Sequence, residues 1–436
     1  MNKKEFSRRR QQLMERMGPN SIAILPNASV AIRNRDVHYP YRSDSHFFYL
    51  SGFDEPESVI VLIPGRAHGE YLLFCRERNP EREMWDGRRS GQTGAVNDYD
   101  ADDAYHITDL EDILPGLLEE KDKVFYTIGN IPTFDQKIMG FFKQLKQQQR
   151  HGKHAPMEIV ELDHYLNELR LYKSAQEIKA LRQAITISAK AHIRAMQFSQ
   201  PGVWEYQVEG EITHEFYQHG CRSAAYPSIV GGGANGCILH YIENQCQLKD
   251  DTLLLIDAGA EYDYYAGDIT RTFPVNGRYN TAQKIIYQIV LDAQKAAIAE
   301  VKPGNHWNQP HEAAVAVLTA GLLHIGILQG ELSTLIETQA YKPFYMHRTG
   351  HWLGMDVHDV GDYKIDGQWR LLEAGMVLTV EPGLYIQASE TIDKKWHDIA
   401  VRIEDDVLVT ATGHEVLSAL APKEIDEIEQ LMAKAS

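Results

Sequence analysis

The chain has 436 residues, too many for one compact core, so two domains are expected. Its 61 acidic residues against 44 basic ones leave a net charge of −17, which argues against nucleic acid or an anionic membrane surface as a partner. It contains no apolar run of the roughly 18 residues that a membrane-spanning helix requires. The charged N-terminus lacks the apolar centre of a signal peptide, and Cys75, Cys221, Cys237 and Cys246 are scattered without ligand spacing. Together these features predict a cytoplasmic protein.

In chain order, an amphipathic helix is expected over 3–17 and a strand over Ser21–Pro26, followed by a polar stretch from Arg33. Further strands are expected at Phe47–Phe53, Ser58–Pro64 and Gly69–Cys75, among helices near 109–120 and 131–148. This alternation predicts an α/β layer domain over 1–168, with Lys146–His154 as a loop or disordered edge. A second domain, 169–436, opens with a capping box: Ser174, with Glu177 three residues on, starts a long helix to about Phe198. Pro201-Gly202 closes that helix, and another follows from Trp204 to Gln218. The same helix, Pro-Gly, helix phrase returns around Pro303-Gly304, between helices at 281–301 and 309–325, and reads as a weak internal repeat. A last helix is expected over 423–435.

The chemistry concentrates in the second domain. The apolar run Leu253–Ile256 ends in Asp257, and a second strand is expected to open with Asp268, eleven residues on. That spacing suits a β-hairpin with the two acids opposite each other. Paired buried carboxylates repel, and a metal ion between them is the simplest remedy. His347, His351 and His358 fall in an otherwise apolar, Gly-rich stretch, and neutral imidazole is the commonest side-chain metal ligand. The strand Met376–Val380 ends in Glu381, with Pro382 and Gly383 forcing a turn. In Ala400–Asp406 the alternation puts Arg402 and Glu404 on one face, so Arg402 is expected to hold a ligand carboxylate. Oxygen-rich ligation with one imidazole suits Mn²⁺, with Co²⁺, Zn²⁺ or Fe²⁺ feasible. His240 is expected at the end of an apolar strand, and Tyr226 and Tyr385 as phenols that orient ligands or line the pocket.

The series Asp257, Asp268, His351, Glu381, Glu404 resembles the five-ligand, two-metal site of the M24 pita-bread metallopeptidases. It stands in the words Asp-Ala-Gly, Gly-Asp-Ile-Thr-Arg-Thr, His-Trp-Leu-Gly-Met-Asp-Val-His-Asp, Val-Glu-Pro-Gly-Leu-Tyr and Arg-Ile-Glu-Asp-Asp. Within the family the wording is most similar to the aminopeptidase P group. The resemblance covers nearly the whole chain and is strongest from about Leu171 onward.

It implies an N-terminal creatinase-like α/β domain and a C-terminal pita-bread domain with a curved, mainly antiparallel sheet. It also implies an aminopeptidase that removes the residue preceding proline, through a water bridged and acidified by two divalent metal ions. By the same resemblance Glu381 doubles as proton shuttle. His240 and His358 flank the scissile carbonyl and stabilise the tetrahedral oxyanion. His347 lies beside the site or lines the proline pocket, and Asp36 reaches the same network. Trp85 enters a neighbouring subunit's site in a homodimer or homotetramer. Arg348 stands where relatives carry a small residue, and could narrow the pocket or bind a substrate carboxylate. A prolidase acting on Xaa-Pro dipeptides is the alternative, and a catalytically dead binding module is a third reading.

Overall fold

The computed structural model describes residues 1–434, which separate into two compact units that divide between Leu169 and Arg170. In the first unit, α1 (Lys3–Met17) is capped by the Asn2 side chain and leads into β1 (Ser21–Pro26). An exposed hairpin, β2 (Ile32–Asn34) and β3 (Val37–His38), precedes α2 (Ser45–Ser51). Then follow β4 (Val59–Leu62), β5 (Tyr71–Cys75), α3 (Pro80–Asp86), α4 (Gly91–Tyr99) and β6 (Asp103–His106). The unit continues with α5 (Leu110–Leu118), β7 (Lys123–Phe125), α6 (Pro132–Gln147), β8 (Glu158–Val160) and all but the last two residues of α7 (Leu162–Leu171). Six strands form one mixed sheet in the order β6-β5-β4-β1-β7-β8. β1 runs antiparallel to β4 and parallel to β7. Ile22, Ile24, Val61, Leu72 and Phe74 of the sheet pack with Leu114, Ile138 and Phe142 of α5 and α6, which gives the α/β layers their core.

Two expectations for this unit need correction. Phe47–Phe53 was expected to be a strand, and its aromatic content favours one. Instead it is α2 and its exit, because Asp44 caps the Phe47 N–H and Gly52, at φ 66°, supplies the left-handed stop. The polar run Lys146–His154, expected as a loop or disordered edge, is a loop only in part: α6 extends to Gln147, a 3₁₀ turn covers Gln149–His151, and the rest is turn and loop.

The second unit opens with α8 (Ala175–Phe198), whose capping box is Ser174 with Glu177, and α9 (Glu205–Gln218). Short strands follow: β9 (Ser223–Ala224), β10 (Ile229–Gly232), β11 (Leu253–Asp257), β12 (Ala260–Tyr262), β13 (Tyr265–Ala266) and β14 (Thr270–Pro274). Helices α10 (Thr281–Ala299), α11 (Gln309–His324) and α12 (Leu332–Glu337) come next. The chain ends with β15 (Lys364–Ile365), β16 (Gln368–Trp369), β17 (Val377–Val380), β18 (Gly383–Ile386), β19 (Ile399–Arg402), β20 (Asp405–Val409), β21 (His414–Val416) and α13 (Ile425–Ala433). The terminal helix expected to reach Ala435 is described as far as Ala433, and residue 435 lies outside the described residues.

Among the described residues every strand pair in this unit is antiparallel. Both Pro-Gly turns place glycine at positive φ, 92° at Gly202 and 87° at Gly304, so each helix pair reverses at a residue without a Cβ. The hairpin register differs from expectation. Asp257 pairs with Thr270, not with Asp268, because the small β12–β13 hairpin interrupts the connection and Asp268 precedes the strand. His240 is in a turn after a 3₁₀ segment (Gly233–Cys237), not at a strand end, because β10 has already stopped at Gly232.

Candidate metal centre

β11, β14, β17 and the β19–β20 junction converge on one end of a cavity of about 800 Å³. Asp257 is the last residue of β11, Glu381 directly follows β17, and Glu404 sits in the break between β19 and β20. Donor atoms of Asp268, His351 and Glu404 all lie within 4.8 Å of one another. Asp257 joins this group through Tyr226, whose hydroxyl lies 2.6 Å from Asp257 Oδ1 and 2.5 Å from Asp268 Oδ1. Glu381 Oε1 is 3.6 Å from His351 Nε2, and Asp268 Oδ2 is 3.3 Å from the same nitrogen. A single phenolic proton cannot satisfy two carboxylates at once, and each acid has a second partner, Arg402 at Asp257 and His351 at Asp268.

The electrostatics agree with the geometry. Burial pushes Asp268 and Glu404 above the ordinary carboxylate range, and neighbouring acids add to the shift. Glu381 is pushed up to about 7, first by desolvation and then by Asp268 and Asp257, against the opposing pull of His351 and Arg402. His351 is drawn down by burial, but its hydrogen bond to Asp268 and the Glu381 charge outweigh this and raise it to about 9. Three buried acids held against their own ionisation, beside Asp257 and an oriented imidazole, fit a cation-binding centre, with Asp257, Asp268, His351, Glu381 and Glu404 as the residues that would hold the ions.

His351 is oriented for that task. Its Nδ1 donates to the Trp352 carbonyl at 3.0 Å, which turns Nε2 toward the acids. Its backbone N–H donates to Thr379 Oγ1 at 3.0 Å. Behind it Trp352 is fully buried, with its ring centroid 4.1 Å from that of Trp307 and stacked on Tyr363.

Arg402 does not hold Glu404 directly. Its Nη2 donates to Asp257 Oδ2 at 2.7 Å, Nη1 to the Tyr385 hydroxyl at 2.9 Å and Nε to Thr270 Oγ1 at 3.1 Å. Thr270 in turn donates to Glu404 Oε2 at 2.6 Å, so the guanidinium reaches Glu404 through a hydroxyl. His347 Nδ1 donates to the Arg348 carbonyl at 2.7 Å, and its Nε2 therefore accepts from the Tyr385 hydroxyl at 2.8 Å. Burial and the Arg402 charge pull His347 down to about 3, so the ring stays neutral.

His240 and His358 line the cavity, with the His358 ring 4.4 Å from that of His351 and nearly perpendicular to it. Tyr226 and Arg348 also line it. The Arg348 side chain donates to Asn308 and lies 5.2 Å over the Trp369 ring. Asp36 and Trp85 belong to the first unit. Asp36 is in the β2–β3 turn and Trp85 is 86 % exposed on α3, and neither lines the cavity.

Sequence reasoning missed the groups that fix the backbone around the acids. Thr270 is one. Another is Asp406, whose Oδ2 accepts from the Asp268 N–H at 3.0 Å. A third is His192, fully buried on α8, whose Nε2 donates to the Ala258 carbonyl at 3.1 Å. The available signal was weak: a polar residue inside an apolar run or on a buried helix face.

Acids delivered at antiparallel strand ends, an oriented imidazole and an open cleft define a metal-dependent hydrolase. The chain belongs to metallopeptidase family M24, which it matches over residues 179–411, and residues 6–126 match the aminopeptidase P N-terminal domain. It is 44 % identical to an Xaa-Pro aminopeptidase of Escherichia coli K12, covering 100 % of this chain and 99 % of that one. Among solved structures it is similar to the Pseudomonas aeruginosa aminopeptidase PepP, at 57 % identity and TM-score 0.99, covering 100 % and 99 % of the two chains. It is also similar to E. coli aminopeptidase P with the inhibitor Pro-Leu, at 44 % identity and TM-score 0.97, with the same coverage.

Proposed function

We propose that this chain is a metal-dependent aminopeptidase that releases the N-terminal residue preceding proline. The observation that carries this is the Asp257, Asp268, His351, Glu381, Glu404 constellation at one end of the cavity, in a chain similar over its full length to Xaa-Pro aminopeptidases. When bound, divalent cations supply Lewis acidity and an acidified water.

The chain's own residues do the rest. The cavity wall at Tyr226, Ile229 and Leu239 offers an apolar seat for a proline ring, which has no N–H to satisfy. His240 and His358 are the donors to the oxygen of the scissile carbonyl as negative charge develops there. The Glu381 carboxylate takes a proton at Oε and returns it to the departing proline nitrogen. Arg402 and Tyr385 hold Asp257 and His347 in register. Arg348, which lines the cavity, is assigned to substrate contacts, and Trp85, which does not, to the site of a neighbouring subunit.

The resident ions are proposed to be two Mn²⁺, given the oxygen-rich donor set with one imidazole. Metal analysis of the purified protein tests this, and one equivalent or a different metal would overturn it. A cytoplasmic location is supported by four free cysteines and by the absence, among the described residues, of a helix long and apolar enough to cross a membrane. A homodimer or homotetramer is proposed from the exposure of Met84 and Trp85 on α3, a helix with no buried residue. Light scattering in solution checks it.

The functional test compares an Xaa-Pro dipeptide with an Xaa-Pro-Yaa tripeptide, metal-stripped and then Mn²⁺-restored. Metal-dependent cleavage, much faster for the tripeptide, is expected. Preference for the dipeptide would make the protein a prolidase and put Arg348 at the substrate carboxylate. Metal bound without cleavage of either would make it a binding module.

A further inference from the structure

The first unit carries a cavity of its own, about 470 Å³, within the size range of small-molecule sites. Ile24 and Leu25 of β1 and Tyr126, just beyond β7, form its buried floor. β1 and β7 run parallel, and from their carboxyl ends the chain departs in opposite directions, β1 leading to β4 on one side and β7 to β8 on the other. The crevice outside such a divergence is where open α/β sheets bind ligands.

The fixed charges on the wall of this cavity are both carboxylates, Asp44 and Asp163. Asp163 Oδ1 accepts from Thr127 Oγ1 at 2.6 Å and lies 3.7 Å from His46 Nε2, and Oδ2 accepts from Asn130 Nδ2 at 3.4 Å. Asp44 Oδ1 accepts from the Phe47 N–H at 2.9 Å. No lysine or arginine lines the cavity, so a phosphate or carboxylate would find hydroxyl, amide and imidazole groups but no fixed cation, and would face the two aspartates. The two acids and His46 do not bring donor atoms together as Asp268, His351 and Glu404 do, the only such group among the described residues, so a bare metal ion does not fit. The two aspartates favour a cation, and the Ile24–Leu25 wall favours one with a hydrophobic body.

We propose that this cavity binds a small organic ammonium, a protonated amine on a compact apolar group, with the amine at Asp163 and Asp44 and the apolar part against Ile24 and Leu25. The site lies wholly in the first unit and does not depend on the catalytic reading, since peptide hydrolysis is measured separately.

The test uses the full-length, metal-loaded protein with labelled isoleucine and leucine methyls, titrated with isoamylamine, isoamyl alcohol and isovalerate at neutral pH. Ile24 and Ile131 report this cavity, and Ile229 and Ile242 report the catalytic one. Saturable shifts at Ile24 and Ile131 are expected with the amine, and about tenfold or more weaker binding of the alcohol and the acid. Asp163→Asn should weaken the amine by a similar factor and leave peptide hydrolysis unchanged. Ala28→Leu, which takes up cavity volume and keeps both acids in the sequence, should abolish the shifts and stands in if Asp163→Asn does not fold. Leucinamide beside isoamylamine tells the sources apart, because tighter leucinamide assigns the site to amino-acid or peptide amines and equal affinity to simple amines. Equal binding of all three isoamyl compounds, or an amine response confined to Ile229 and Ile242, would overturn the proposal.

Discussion

Thr270 shows how much one hydroxyl can organise. It accepts from Arg402 Nε and donates to Glu404 Oε2, in a strand where both neighbours on the chain are buried. Replacing it with valine preserves shape and removes both bonds, leaving a buried guanidinium nitrogen and a buried carboxylate oxygen each short of a partner. Thr270→Val should cost about 1–3 kcal/mol of stability. It should also lower metal affinity about 10–100-fold, as loss of a group that orients a ligand generally does. Thr270→Ser should restore most of both. Denaturant unfolding and metal titration on the three proteins check this, and a valine variant that binds metal as tightly as the parent would show that Glu404 needs no such support. The Tyr226 hydroxyl works differently, because it sits between two acids rather than between an acid and a base. Its removal should act mainly on the metal-free protein, where nothing else separates Asp257 from Asp268.

At the scale of elements, the site depends on segments approaching closer than side chains allow. A Cβ on Gly350 would lie 2.0 Å from the Thr379 carbonyl oxygen, so only glycine lets the segment before His351 lie against β17. The contacts that fix His351 and Glu381 cross this seam: the His351 N–H to Thr379 Oγ1, and the Glu381 N–H to the Thr349 carbonyl at 2.8 Å. Gly350→Ala must force the two apart. It should destabilise by about 1–3 kcal/mol, as overpacking does, and should lower kcat by more than its effect on KM. Wild-type kinetics in that variant would mean the seam can open without moving the ligands.

The same scale explains what was legible in the sequence. Asp257 and Glu381 stood out because an apolar strand ending in an acid is a conspicuous break in pattern, and the structure ends β11 at one and β17 just before the other. Thr270 and Thr379 did not, because threonine in a strand has an ordinary explanation in its β-branched shape. The helix at Ser45–Ser51 was hidden by its aromatic composition, although its caps, Asp44 and Gly52, were in plain view. The register placing Asp257 opposite Thr270 could not be read from spacing alone, since a second small hairpin consumes the residues between the acids.

For the molecule as a whole, two sets of buried charges make stability depend on pH in opposite directions. Asp359 is the simpler case. Burial alone would raise it, but Arg170 at 2.5 Å and Lys173 at 3.0 Å outweigh burial and hold it below the usual carboxylate range. Its contribution is therefore fully present above the unfolded value near 4 and is lost as pH falls through the folded one. Asp359→Asn should cost about 3–5 kcal/mol at neutral pH, because it removes the carboxylate paired with buried Lys173 and one of the two carboxylates paired with Arg170, which keeps Asp356, and the difference from wild type should shrink in acid.

The metal ligands run the other way when stripped. Glu381 is raised to about 7 in the fold, so the proton it holds stabilises the metal-free protein below the unfolded value near 4.3, and that contribution is lost as pH rises toward 7. His351, raised to about 9, adds stability that is complete below about 6.5 and lost as pH climbs through 9. Metal binding needs these same groups deprotonated, so its stabilising effect grows over the same span. The gap in Tm between metal-loaded and metal-stripped protein should therefore widen steadily from about pH 5 to pH 9. Calorimetry at five or six pH values checks it, and Glu381→Gln should flatten the lower part of the curve while leaving the upper part to His351. A gap that stayed constant, or narrowed, would mean that the acids at the cavity end are not held against their own ionisation, and the electrostatic argument for a cation centre would fail with it.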